Sequence, residues 1–580
     1  MTRGRNPSSV KQSAGSVQAP AVGLDPTPIM LASGLDPSQV EAILHSYGIQ
    51  RVKEADANLQ AMAAEPHHRR QLAGILALLL DSVGRTADPD QALNHWERFL
   101  SNVTRSSFLE YVRSSPRMLD LVCTIFGNSD SLAFTLIRDP MLIYWLAEQE
   151  VLSKPPTRTG MERVLQQNLG QLTATELRLD VLRRFRRREM LCIGVRDLLK
   201  LADVPETTGA LSDLASVLID AAYRIVDADL RALYGTPMHQ NRQGKWVETG
   251  FTVIGMGKLG GHELNYSSDV DLLYIYASHE GETRVAPNSR NRNAAKQPTS
   301  ISNEEYFEIL ARELTKVLSE QTHEGYVFRV DLRLRAEGSV GQLARSLEDY
   351  AKYYRTRGQV WERLALLKAW PVAGSMEVGK AFLRMVKPFI FGSIADKPDL
   401  AGALAIVRDV RGVKDMIDAK MADRGHERRN VKLGTGGIRE IEFLVQTVQV
   451  LAGKRVPALI DRSTLGALDR FVRRKLISAK DRDGLTDAYV FLRDVEHKLQ
   501  MVHDLQTHAL PESSEELERC AIRAGYDAED RKKGAERFRA DHEHHTGIVN
   551  RIFRSLFYEP KTSPLLKATL RAMGQPASRR

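Results

Sequence analysis

Three observations predict a mainly α protein that carries one α+β island. Apolar residues recur at three- and four-residue spacing from about residue 35 to 235, and again over most of the chain after 376. β-Branched apolar runs gather only between 236 and 375, and the same stretch collects the glycines and closely spaced aspartates. Strands confined to one segment between helical flanks make an α+β core with helical domains on both sides.

At 580 residues the chain is too long for one ordinary core. Residues 1–34 are rich in Ser, Pro, Gly and Ala and are expected to form a disordered tail, because they bury too little surface to offset the entropy of ordering. Residues 35–235 read as an N-terminal helical region, with clear periodicity over Gln71–Leu80, 94–126 and Thr173–Ala202. In the core, 236–375, the run from Trp246 to Gly257 reads as a strand entering a tight turn. Val270–Ala277 and Tyr326–Arg335 have strand composition, the second with period-two alternation. Between those two, Pro287–Ser302 reads as a mobile loop and Glu304–Gln321 as a helix. A helical connection, 376–429, leads to a C-terminal helical domain, 430–560, broken near Gly434, Pro457 and Pro511, and 561–580 reads as a loose basic tail.

The composition, 43% hydrophobic and 27% charged, is that of a soluble protein, and no run approaches the ~18 apolar residues that span a bilayer. No apolar stretch follows the basic start, so the expected address is cytoplasmic, with no membrane partner. Cys123, Cys192 and Cys520 are far apart and show neither disulfide nor zinc spacing. A net charge of +9 invites a nucleic-acid reading, but much of the excess sits in short clusters such as 183–189, with little aromatic interleaving. A solvated helix face accounts for such clusters better.

The chemistry is carried by Gly255-Met-Gly-Lys-Leu-Gly-Gly-His-Glu-Leu-Asn-Tyr-Ser-Ser-Asp-Val-Asp-Leu-Leu-Tyr. Asp269 and Asp271 stand two apart at the start of a strand, so both face one site. Such a pair repels unless a cation lies between them, and hard carboxylate oxygens suit Mg2+ or Mn2+. Asp331, in the later strand, can lie beside them and complete a two-metal clamp for phosphoryl chemistry. Gly255, Gly257, Gly260 and Gly261 permit close backbone approach to a phosphate, and Lys258 offers it a charge. Ser267 and Ser268 add hydroxyls, while Arg333 and Arg335, on the same strand face as Asp331, can grip phosphate oxygens. Taken singly, a D-x-D is more often a solvated pair and a glycine cluster more often a tight turn. Their spacing, with room for one helix before the third aspartate, favours a catalytic site. Lys432, Arg439, Glu440 and Glu442 either line that site or form ion pairs along their own helix.

The blocks GMGKLGGHELNYSSDVDLLY (255–274), RVDLRLRAEGSVGQL (329–343), LEDYAKYYRTRGQVWERLALLKA (347–369), NVKLGTGGIREIEFLVQ (430–446) and FLRDVEHKLQ (491–500) occur in this order. They resemble the bifunctional glutamine synthetase adenylyltransferase/adenylyl-removing enzymes, over about residues 100–555. That resemblance implies a DNA polymerase β-like nucleotidyltransferase core, with metal-binding aspartates of the G-K-L-G-x(7)-S-D-x-D-L type falling on Asp269, Asp271 and Asp331. Family members carry two such halves, the first removing AMP from glutamine synthetase and the second attaching it. This chain has one, and its wording around Asn265 and Trp361 is similar to the removing half. The implied reaction is phosphorolysis of a tyrosine–AMP diester to ADP, with glutamine synthetase, nucleotide (ATP or ADP) and phosphate as partners and a PII-type nitrogen-signalling protein as a regulator. The alternatives are ATP-dependent adenylylation of glutamine synthetase, an RNA nucleotidyltransferase, and a non-catalytic regulatory scaffold. Ala336, where the family has proline after R-L-R, and Trp370, where it has arginine after L-K-A, depart from the pattern.

Overall fold

The computed structural model describes residues 23–32, 34–170, 172–284, 300–392, 400–422 and 429–574. The chain groups into two compact units, Met1–Asn128 and Ser129–Arg580. As expected, the protein is mostly helical with small sheets. Among the described residues no helix is long and apolar enough to cross a membrane, and the three cysteines are free and buried.

The first unit is built from helices whose starts are written in the sequence. Pro37, Pro66 and Pro89 open the helices Pro37–Ser46, Pro66–Ala73 and Pro89–Leu100, positions where a missing N–H leaves no bond unmade. Asp36 and Asp88 cap two of them by accepting from the amides of Ser38 and Gln91. Trp96, Phe99, Phe108 and Phe126 form its aromatic core, with ring centres 4.9 to 6.1 Å apart. The expected tail is corrected at its end: Thr27–Leu31 is a short helix, because Ile29 and Met30 are buried. Residues 1–22 lie outside the described residues.

In the second unit, two long helices, Thr175–Leu198 and Val204–Tyr234, precede the sheets. The strands are β1 (Thr236–Gln240), β2 (Trp246–Glu248), β3 (Phe251–Gly255), β4 (Val270–Tyr276), β5 (Glu282–Arg284), β6 (Val330–Asp331), β7 (Ala344–Ser346) and β8 (Trp370–Gly374). One sheet has the order β2-β1-β5; the other runs β6-β4-β3-β8, with β7 also paired to β4. β3 is antiparallel to β4 and to β8, whereas β6 and β7 follow one another along β4 in parallel. β3 and β4 are apolar on both faces because helices cover them: Phe251 and Tyr276 stack on Phe307 of the helix Asn303–Ser319 at 5.6 and 4.6 Å. The expected strand from Trp246 is therefore two strands in two sheets, divided at Thr249–Gly250.

The expected strand Tyr326–Arg335 contracts to β6. Before it, the amides of Val327 and Phe328 both donate to the Leu318 carbonyl at 3.0 and 2.8 Å, which ties the chain to the helix rather than to a strand. After it, bonds from Arg335 N to Leu332 O and from Gly338 N to Arg335 O wind the backbone into turns. The loop expected over Pro287–Ser302 lies almost wholly outside the described residues. The expected loose end at 561–580 is corrected up to Gly574, since Pro564–Gly574 is a helix that buries Leu565, Leu566 and Met573.

Candidate functional site

The site forms where β3 ends and β4 begins. Asp271 and Asp331 are register partners on the parallel strands β4 and β6, so their side chains leave the sheet side by side. Asp269, one residue before β4, is turned toward Arg329, whose Nε donates to Oδ1 at 2.8 Å. The Asp271 carboxyl is pushed up to about 6 by burial and by the neighbouring Asp331, with Lys432 and Arg439 opposing. At Asp331, burial is outweighed by Arg333, which folds back to donate its amide at 2.8 Å and its Nε at 2.9 and 3.0 Å, holding the carboxyl below its usual value.

Gly257 has φ +51°, and a Cβ there would meet Asp271 Oδ2 at 2.5 Å, so only glycine lets the carboxylate lie against the loop. Gly260 packs equally closely: a Cβ would lie 2.0 Å from the Lys368 carbonyl. These glycines thus serve packing as well as any ligand. The amides of Gly260 and Gly261 donate to the carbonyls of Met256 and Gly257 at 2.9 and 3.0 Å, which narrows the expected phosphate cradle to the opening residues of the turn Gly257–Gly260. Gly255 ends β3 opposite Leu272.

Other expected ligand residues are placed differently. Lys258 points inward to Glu496, Nζ to Oε1 2.8 Å. Burial, with Lys432 and Arg493 nearby, pushes its ammonium down to about 7 in spite of that partner. Ser267 is buried, donates to the Asp504 carbonyl at 2.7 Å and accepts from Arg329 at 3.0 Å, while Ser268 is buried at the same turn. Because β6 stops at Asp331, Arg333 and Arg335 do not share a strand face with it. Arg333 covers Asp331, and Arg335 is buried, donating to the carbonyls of Leu332, Ser339 and Gly341 at 2.9 to 3.1 Å.

A second group of charges lies behind the glycine loop. Lys368 bridges Glu263 and Glu442 at 2.8 and 2.9 Å, all three buried. Glu496 takes Lys258 and His508, each at 2.8 Å, and Arg493 donates to the Glu263 carbonyl and the Asn265 side chain. Burial opposes ionisation of Glu442 and Glu496, but Lys368 and Arg439 around the first, and Lys258, His508 and Arg493 around the second, hold both carboxyls below their usual values. Glu440 is buried with Lys414, at 3.4 Å. Of the four charged residues left open by the sequence, the two glutamates therefore belong to buried ion pairs, whereas Lys432 and Arg439 exert their charge on Asp271. Among the described residues no carboxylate lies within 4 Å of the Lys432 ammonium, unlike Arg439, which reaches Glu442 at 3.5 Å. Arg329 was missed by the sequence reading, although its position two before Asp331 is the available signal.

No three or more His, Cys, Asp or Glu among the described residues are arranged to hold a metal by themselves. Two register-paired carboxylates, one of which raises the proton affinity of the other, still suit a hard cation of the Mg2+ kind, which typically takes one or two carboxylates and completes its shell with water and substrate phosphate.

Comparison with known proteins bears on this site. Residues 119–385 match the family model described as glutamate-ammonia ligase adenylyltransferase, and residues 411–557 the one described as GlnD PII-uridylyltransferase. The chain is similar to proteins named bifunctional glutamine synthetase adenylyltransferase/adenylyl-removing enzyme. It is 38% identical to that of Nitrosococcus oceani over 445 residues, 77% of this chain and 43% of the relative. With that of Rhizobium meliloti it shares 41% identity over 348 residues, 60% and 33% of the two chains. With that of Hahella chejuensis the figures are 33% over 473 residues, 81% and 45%. The chain thus spans less than half the length of these relatives.

Proposed function

We propose, from the match of residues 119–385 to the glutamate-ammonia ligase adenylyltransferase family model, that the chain is a metal-dependent nucleotidyltransferase that removes AMP from glutamine synthetase. The observation that carries the reading is the register of Asp271 against Asp331, two carboxylates side by side at a glycine turn. We read the five-stranded sheet with its flanking helices as a polymerase β-like core, and segments 236–375 and 430–560 as the catalytic and C-terminal helical domains. Mg2+ held by Asp271 and Asp331, with Asp269 as a third ligand once released from Arg329, would supply Lewis-acid polarisation of phosphoryl oxygens.

The chain's own residues do the rest. The turn at Gly257 brings backbone next to Asp271, so a phosphoryl group bound there lies against N–H groups. Lys432 and Arg439 face the carboxylates from the segment before and the start of the helix Ile438–Ala452, and hold the incoming phosphate opposite them. Arg333, exposed beside Asp331, shifts from the carboxylate to the substrate's phosphate oxygens. Inorganic phosphate then attacks the α-phosphorus of the tyrosine–AMP diester, ADP forms, and the tyrosine oxygen leaves with a proton from solvent. The second family match, over 411–557, supports a PII-type protein as regulator.

The test supplies purified protein with adenylylated glutamine synthetase, Mg2+ and phosphate, and in parallel with unmodified synthetase and ATP. Phosphate-dependent ADP release supports removal. ATP-dependent labelling without ADP release reverses the direction and keeps the site, and neither activity rejects the reading.

A further inference from the structure

Outside the carboxylate site, the second unit holds a cavity of about 630 Å³ between β8, the helix Met376–Phe391 and the segment 457–462. That volume is in the range of small-molecule pockets. Its wall is largely aliphatic, with Leu366, Leu383, Val386, Ile390 and Ile460 among the lining residues. The other lining side chains are strongly biased in charge: five cations against the single carboxylate Asp461, which is already paired with Arg470 at 2.8 Å.

Three of those cations, Lys380, Arg384 and Lys387, recur at i, i+4 and i+7 on one helix, where like charges repel. All three are exposed, and none has a carboxylate within 4 Å among the described residues. A fourth, Arg462, lies over the Trp370 ring at 4.3 Å, and Trp370 is 40% exposed. The lining includes no Ser, Thr, Asn or Gln, and its single carboxylate is already paired, so the side chains facing the cavity offer mostly cationic donors, which suit an anionic head. An apolar chamber under an unneutralised cationic rim complements a ligand with a hydrocarbon body and an anionic head.

We propose that this cavity is a second binding site, specific for a small amphipathic anion, an alkyl or aryl carboxylate or phosphate ester, which places its hydrocarbon body among Leu383, Val386 and Ile460 and its head against Lys380, Arg384 and Lys387. No lining residue is a site aspartate or a glycine of the turn, although Arg462 donates to the Gly260 carbonyl at 3.3 Å and Trp370 pairs with Gly255, so the cavity lies behind the turn rather than in the carboxylate site.

Titration calorimetry with octyl phosphate and, separately, octanoate, both below their critical micelle concentrations, tests this with the whole chain. Inorganic phosphate and octyl glucoside serve as head-only and neutral-body controls. Expected are saturable one-to-one binding of at least one of the two amphipathic anions, and binding about tenfold weaker or more for each control, since one lacks the charged head and the other the hydrocarbon body. The anion bound more tightly identifies the head group. The triple substitution Lys380→Gln, Arg384→Gln, Lys387→Gln changes only exposed side chains and should weaken that anion at least about tenfold. Leu383→Asp should weaken it by a second route. Equal binding of octyl glucoside, equal binding of inorganic phosphate, or an unchanged triple variant would each overturn the proposal. So would sedimentation showing that the wild type dimerises and Leu383→Asp does not, because the cavity would then be an interface between two copies of the chain.

Discussion

The charges in front of the glycine turn and those behind it are held in different ways. In front, Asp269 and Asp331 accept arginines that are themselves half-buried or exposed, and Asp271 has a like charge as its register partner. Behind, Glu263, Glu442 and Glu496 are buried against Lys368, Lys258, Arg493 and His508. The front group is loosely compensated and can exchange partners, as the proposed binding of a cation and a phosphate requires. The rear group is closed, and breaking any pair strands a charge in a medium that solvates it poorly. Proximity to the glycine turn therefore does not decide a residue's role; how its charge is neutralised does.

The largest expected effect that would sharpen this contrast is on catalysis. Asp271→Asn should lower the proposed nucleotidyl transfer by on the order of 10²–10³-fold or more, as removal of a main electrostatic contributor does, while thermal unfolding stays within a few degrees of wild type. A large fall in unfolding temperature would move Asp271 into the structural group. Behind the turn the pattern should invert. Lys368→Met leaves Glu263 and Glu442 buried without their cation and should cost about 3–5 kcal/mol in denaturant unfolding; a change below about 1 kcal/mol would break the comparison.

Acid titration probes the rear group as a whole. The folded-state values of Glu442 and Glu496 lie below those of an unfolded chain, so their contribution to stability is fully present above the unfolded value, about 4.3, and is lost as pH falls through the folded values. Denaturant midpoints of the wild type should begin to drop below roughly pH 5 and keep falling as the pH approaches the folded values, and less steeply in a Glu442→Gln, Lys368→Met double variant. Parallel slopes in the two proteins would show that the pair does not contribute. Gly257→Ala, at φ +51° and against Asp271 Oδ2, should cost about 1–3 kcal/mol through backbone strain and reduce turnover by displacing the carboxylate. The smallest expected effect is at Arg333, whose side chain is 79% exposed. Arg333→Ala should change stability by less than about 0.5 kcal/mol and show itself as a raised KM for phosphate at the same kcat.

The sequence by itself determined the helical flanks, the position of the strand island and the candidate aspartates. These rest on local signals: three- and four-residue periodicity, β-branched runs, and a D-x-D next to glycines. It also determined that Asp331 could join Asp271, since only an intervening helix was needed, and Asn303–Ser319 is that helix. What it could not determine was how far the strand around Asp331 extends. Alternation over Tyr326–Arg335 looks the same whether the apolar residues face a sheet or pack against a helix, and here Leu318 takes the backbone bonds that a strand partner would have taken. For the same reason Arg335 was assigned to a face that does not exist. The direction of Lys258, toward Glu496 more than two hundred positions away, and the pairing of Glu440 and Glu442 with Lys414 and Lys368, were decided only by tertiary structure. Local sequence sets which conformation a segment prefers. Which charge a side chain meets depends on chain brought back from a distance, and that information is in no single stretch of residues.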